Sequence, residues 1–357
     1  MPEKQKNASS CDCGCSSCGD GCSTEDAAKK PYFSDKFHLS MQQLFQEGKT
    51  GEILTACQKE LEKGENALAH FWQGVVATYD DDFSQAIAQY SKAIELEDKN
   101  GLFHSQRGGA YAAAGDMTNA LIDFSDAINY DGKDWLNYAN RGVIYLDKKM
   151  YEHAIADFTK AIELEPDDMS SYLNRGDAFA GQKLYSVAIA DFSKVLEKYP
   201  DNIDTLLKRG QAYFDIVLVQ EALADFNKVL ELEPENVPAL AIRASIYLSE
   251  KQYQEALADF TQVISFDEND ARPYFFRGIV NTAQQDYQAA LSDFKKVLEL
   301  EPTNVMARHN LALCYDAENM PNEAVQAYQD FLAIANPSMP EVKHSQTRIK
   351  ALQAKFN

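Results

Sequence analysis

The chain has 357 residues, 45% of them hydrophobic, with 55 acidic side chains against 34 basic ones and a formal net charge of −21. A field of that sign disfavours nucleic acid and anionic membrane surfaces as partners and suits a basic one, or simply keeps a long chain soluble. No stretch reaches the roughly 18 apolar residues of a membrane span. No apolar run near the start reads as a secretory signal, so the expected location is cytoplasmic.

Residues 1–32 come first and contain Cys11, Cys13, Cys15, Cys18 and Cys22 in the run CDCGCSSCGDGC. Their neighbours are small, polar or glycine and cannot build a core, so a disordered tail is expected. Thiolates one to three residues apart suit a thiophilic metal, and four would complete a tetrahedral zinc site with Zn–S distances of roughly 2.3 Å. The spacing is similar to that of metallothionein-like clusters. An iron–sulfur cluster would lack shielding here. Lipid attachment, reversible disulfides and a tail without defined chemistry are the other readings.

Residues 33–66 hold two helix-like stretches, FHLSMQQLFQEG and GEILTACQKELEKG. They read as a degenerate hairpin that caps the front of the segment beginning at residue 67.

From residue 67 one pattern recurs every 34 residues. Alanine stands at 86, 120, 154, 188, 222, 256, 290 and 324. A small residue precedes each by twelve positions: Gly74, Gly108, Gly142, Gly176, Gly210, Ala244, Gly278 and Ala312. An aromatic follows each by four: Tyr90, Phe124, Phe158, Phe192, Phe226, Phe260, Phe294 and Tyr328. In the unit 135–168, Tyr138, Gly142 and Tyr145 share one helical face, and Ala154, Phe158 and Ala161 share another. A polar stretch, Asp147 to Met150, separates them, and Pro166 stops the second helix. Each unit is therefore two antiparallel helices. The small residues let the backbones approach, and the aromatics fill the wider ends.

The small residue Gly142, the aromatics Tyr145 and Phe158, the alanines Ala154 and Ala161, Pro166 and the period itself closely resemble the tetratricopeptide repeat family. The resemblance covers eight copies: 67–100, 101–134, 135–168, 169–202, 203–236, 237–270, 271–304 and 305–336. It implies an all-α fold, a right-handed superhelical solenoid of antiparallel helix pairs. Ala77 and Asn281 stand where an aromatic is usual, so looser packing is expected in their copies. After Pro337 and Pro340, residues 337–357 read as a capping helix with Val342, Ile349, Leu352 and Phe356 on its inner face.

Six copies carry a charge pair beyond the family minimum. Arg107, Arg141, Arg175, Arg209, Arg243 and Arg277 precede the small position, and Asp123, Asp157, Asp191, Asp225, Asp259 and Asp293 precede the aromatic. The first copy has Gln73 and Gln89 there, and the last has Leu311 and Ala327. Because the two columns begin and end in the same copies, each ion pair is expected to close within one copy, as a structural bridge between its helices. An anion site built from six arginines would be neutralised by the aspartates.

In the family, first helices line an inner groove that holds an extended peptide or a partner helix. The resemblance places Asn140, Val143, Asn174, Asp177, Lys208, Gln211, Phe214 and Phe275 there, with plain packing or solvation as the alternative for each. The family's lysine, arginine and asparagine clamp for a chaperone C-terminus is not visible, since Phe71 and Val75 occupy its place and Lys208 is isolated. Six histidines are scattered, and no phosphate loop or nucleophile constellation stands out. Two function classes remain. One is a non-catalytic scaffold binding a protein or peptide. The other is a metal- or redox-handling protein whose cysteine tail does the chemistry and whose array chooses the target.

Overall fold

In the computed structural model, residues 35–354 are described, and among them every regular element is an α-helix. The described residues divide into two compact units, one up to residue 195 and one from residue 196. The first contains α1 (Lys36–Gln46), α2 (Thr50–Leu61), α3 (Ala67–Tyr79), α4 (Phe83–Leu96), α5 (Gly101–Ala113), α6 (Met117–Tyr130), α7 (Trp135–Asp147), α8 (Tyr151–Leu164), α9 (Met169–Gly181) and most of α10 (Tyr185–Lys198). The second contains α11 (Ile203–Asp215), α12 (Val219–Leu232), α13 (Val237–Ser249), α14 (Tyr253–Phe266), α15 (Ala271–Ala283), α16 (Tyr287–Leu300), α17 (Val305–Ala317), α18 (Pro321–Ile334) and α19 (Pro340–Gln353). In both, consecutive helices pack as pairs.

Local signals set these bounds with little variation. Every first helix from α3 onward starts at an asparagine or aspartate whose side chain caps it: Asn66, Asn100, Asp134 and Asp168 in the first unit, Asn202, Asn236, Asp270 and Asn304 in the second. The same helices end in a left-handed residue, and the amide after it returns to a carbonyl five residues back, as in Leu184 N–H to Phe179 O at 2.9 Å. Only Gly115 is a glycine at this left-handed position; Asp81, Lys149, Lys183, Val217, Lys251, Gln285 and Asn319 hold it elsewhere. The prolines are less decisive than the sequence suggests. Second helices stop at Leu164 and Leu232 before Pro166 and Pro234, but also at the matching Tyr130 and Phe266, which Gly132 and Glu268 follow.

Each pair has the same interior. Ala86, Ala120 and Ala154 are fully buried against their partner helices, as are Ala222, Ala256, Ala290 and Ala324 in the second unit. The glycine column gives the aromatic rings their room: a Cβ on Gly142 would lie 2.9 Å from Phe158 Cε1, and one on Gly176 would lie 2.6 Å from Phe192 Cε1. The looser packing expected around Ala77 and Asn281 is not found. Both are buried, and Asn281 Nδ2 donates to Asp293 Oδ2 at 3.0 Å, so a polar contact replaces the missing ring.

At the front, α1 and α2 bury Met41, Ile53 and Cys57 against α3, whose residues are covered on almost every side. At the rear, α19 seats Leu352 and the half-buried Ile349 on the last pair, and Arg348 grips Asp316 of α17 through two hydrogen bonds of 2.7 Å. Val342 is half-buried, and Phe356 lies outside the described residues.

Candidate functional site

The arginine and aspartate columns meet inside each copy. Arg107 Nε and Nη2 donate to the two carboxylate oxygens of Asp123, both at 2.8 Å. Arg141 holds Asp157, Arg175 holds Asp191, Arg209 holds Asp225, Arg243 holds Asp259 and Arg277 holds Asp293 in the same forked geometry. The aspartates are buried, whereas the arginine side chains keep 18–23% exposure. A fork onto a shielded carboxylate is among the stronger ionic contacts because direction and charge coincide. The hydrogen bond to its aspartate holds each of the Arg107, Arg141, Arg175, Arg209 and Arg243 guanidinium groups above its ordinary pKa, against burial, which pulls it down.

A further column completes the arrangement. Arg107 Nη1 donates back to Ser91 Oγ of the preceding copy at 3.0 Å, Arg141 to Ser125, Arg175 to Thr159, Arg243 to Asn227 Oδ1 and Arg277 to Thr261. Each of these arginines thus closes its own helix pair and ties it to the pair before. The acceptors sit one residue after the aromatic column, a periodic polar position that the sequence displays but that only the contact explains.

The outer copies replace the bridge differently. In the first, His70 Nδ1 meets Gln89 Oε1 and its Nε2 meets Glu65 Oε2, both at 2.8 Å. In the last, Tyr328 donates to Asp316 at 3.3 Å, the same carboxylate that Arg348 holds. The second copy has the bridge and a histidine too. His104 Nδ1 lies 3.2 Å from Asp123 Oδ1 and its Nε2 lies 2.9 Å from the Asp98 carbonyl oxygen. Burial pushes the Asp123 carboxyl up, but Arg107 and His104 outweigh it and hold the group below the ordinary carboxylate value. His104, Asp123 and Asp126 converge as a metal site would. Both Asp123 oxygens accept from Arg107, so this carboxylate already has a cationic partner in the guanidinium.

The groove candidates fall in two classes. Asn140 and Val143 on α7 are exposed, and Asn174 and Asp177 on α9 are half-exposed. In the second unit, Lys208 pairs with Asp204 at 3.0 Å, and Gln211 donates to Asp215 at 3.2 Å. Phe214 and Phe275 turn much of their surface inward onto the cores around Phe226 and Phe294; Phe275 meets Phe294 edge-on at 6.0 Å. The candidate ligands Cys11, Cys13, Cys15, Cys18 and Cys22 lie outside the described residues. Cys57 and Cys314 are reduced and buried, and burial raises the Cys57 thiol to about 12. No helix among the described residues is long and apolar enough to cross a membrane.

Among solved structures, the chain is similar to a tetratricopeptide repeat protein from Parabacteroides merdae, with 17% identity over 70% of this chain and 97% of that one and a TM-score of 0.50. It is also similar to the MamA protein, with 25% identity over 46% of this chain and 90% of that one and a TM-score of 0.45. YrrB, described as a TPR protein with an unusual peptide-binding site, shares 23% identity over 52% of this chain and 96% of its own, with a TM-score of 0.47. No curated protein matches. Models of the tetratricopeptide repeat match residues 73–134, 138–168, 170–202, 207–273 and 282–355. With the repeating helix pairs and these matches over most of its length, the chain belongs to the tetratricopeptide repeat family.

Proposed function

We propose that the chain is a non-catalytic scaffold that holds an extended peptide or a partner helix against its first helices, in the cytoplasm. The observation carrying this reading is how little of each first helix is free for chemistry. The arginine and aspartate columns are consumed within the repeat by their forks, while Asn140, Val143 and Asn174 keep side-chain surface in contact with solvent. Small contacts repeated along a preformed surface add to affinity without a deep pocket. The net charge of −21 favours a basic partner.

The test is capture of partners by the full chain at low and high salt, followed by Val143→Glu and Asn174→Ala. A partner bound through this surface weakens with both substitutions and with salt. Undiminished capture by both variants would remove the assignment.

A second reading keeps the cysteine tail as a zinc or other thiophilic-metal site. Cys57 and Cys314 are enclosed, so the thiols of residues 11–22 are the chain's candidates for metal or redox chemistry. Metal content of the purified chain, compared with a version carrying serine at those five positions, distinguishes this reading: stoichiometric metal lost on substitution supports it, and equal content sinks it.

A further inference from the structure

We propose that His104 is a protonation lock that ties the second copy to the linker from the first, closed when the ring is an imidazolium and released when it loses a proton. Donors and acceptors around the ring do not balance for the neutral form. A neutral imidazole carries one N–H, whereas both His104 nitrogens face groups that only accept: the Asp123 carboxylate at 3.2 Å and the Asp98 backbone carbonyl at 2.9 Å. Removing a proton sets a ring lone pair against an oxygen lone pair in a site where the side chain is 7% exposed. Water has little access to relieve it.

The groups facing the ring are few. From α6 come Asp123, Asp126, whose Oδ2 lies 3.9 Å from Nδ1, and the Tyr130 ring with its centroid 5.4 Å away. From α5 itself comes Arg107, and from the linker comes Asp98. Burial pushes the His104 pKa down and Arg107 opposes its charge, but the hydrogen bonds to Asp123 and Asp98 prevail and the net direction is up. A histidine raised in the folded state contributes in full below its unfolded value of 6.5, and the contribution is lost as pH rises through the folded value. The junction therefore tightens toward acid and loosens toward alkali.

The linker tie recurs without a histidine: in the third copy the Tyr138 hydroxyl donates to the Gly132 carbonyl at 3.4 Å, and in the last Arg308 Nη2 donates to the Pro302 carbonyl. His70 faces a carboxylate on one side and the Gln89 side-chain amide on the other, and an amide can turn to donate, so a neutral ring is satisfied there. Later copies carry Tyr138, Tyr172, Leu206, Leu240, Tyr274 and Arg308 at the position, none of them a histidine. The lock is thus confined to one joint, the one at which Arg107 also reaches back to Ser91.

The test is a histidine-selective NMR titration of the full chain, with His104 assigned by its loss in His104→Tyr, the side chain used by three other copies. Hydrogen exchange of the amides around 98–108 is followed over the same pH range, corrected for intrinsic exchange. The expected result is a His104 midpoint above 6.5 and a loss of protection that follows it, with a flat profile in both His104→Tyr and His104→Gln. A midpoint at or below 6.5, titration without loss of protection, or the same loss in the two variants would overturn the proposal.

Discussion

Small backbone and side-chain details decide how well each copy closes. A Cβ on Gly176 would meet the enclosed Phe192 ring at 2.6 Å, whereas one on Gly210 meets Phe226 at 3.1 Å, and Ala244 and Ala312 already fill the position fully buried. Gly176→Ala should cost about 1–3 kcal/mol, the usual range for overpacking, and Gly210→Ala distinctly less. Urea unfolding of the two variants checks the order. Val217 presents the opposite case. It sits at φ 63° with 77% exposure, so a β-branched residue holds a strained conformation with no packing to compensate. Val217→Gly, the residue of the second copy, should raise stability by about 1 kcal/mol, seen as a higher urea midpoint with an unchanged helical signal.

A pair of helices is the unit that the charges serve. Arg141 and Asp157 form one fork, and Arg141 adds a bond to Ser125 of the helix before. Arg141→Leu strands a carboxylate that is 8% exposed and should cost about 3 kcal/mol, the lower end for a broken buried pair because the arginine edge is wet. Arg141→Leu with Asp157→Ala, the combination found at Leu311 and Ala327, should cost much less, and a double-mutant cycle on urea midpoints measures the difference. Equal losses in the single and double variants would mean that the fork's charge balance does not matter. The periodicity of arginine, aspartate, alanine and aromatic was legible in the chain, because residues on one helical face recur at spacings set by helix geometry. The aspartate and asparagine caps, recurring from Asn66 to Asn304, were equally periodic and mark every first-helix start more faithfully than the prolines mark the ends.

At the scale of the molecule, repetition divides chemistry from framework. Of the seven cysteines, Cys57 and Cys314 are enclosed, and burial raises both thiols. A thiol reagent added to the native, reduced chain should react rapidly with the five cysteines of residues 11–22 and reach the other two only on unfolding. Fast native labelling of all seven would show that the ends of the array open readily. The stacked copies also explain why acidic charge accumulates without unfolding the chain: each buried aspartate has its arginine, and the excess is left on the surface, where water and salt screen it.

By itself the sequence determined the repeat and its helix pairs, because these depend on residues a few helical turns apart along one chain. Only the tertiary structure decided where the third N–H of Arg107 goes, that Asn281 mends a missing ring by binding Asp293, that Phe214 and Phe275 lean into cores, and that His104 stands between two acceptors. Such contacts join residues on different helices, or on a helix and the linker before it, at distances of a few ångströms. A periodic pattern specifies which faces meet, but the partner of each polar atom is settled by the packing of those faces in space.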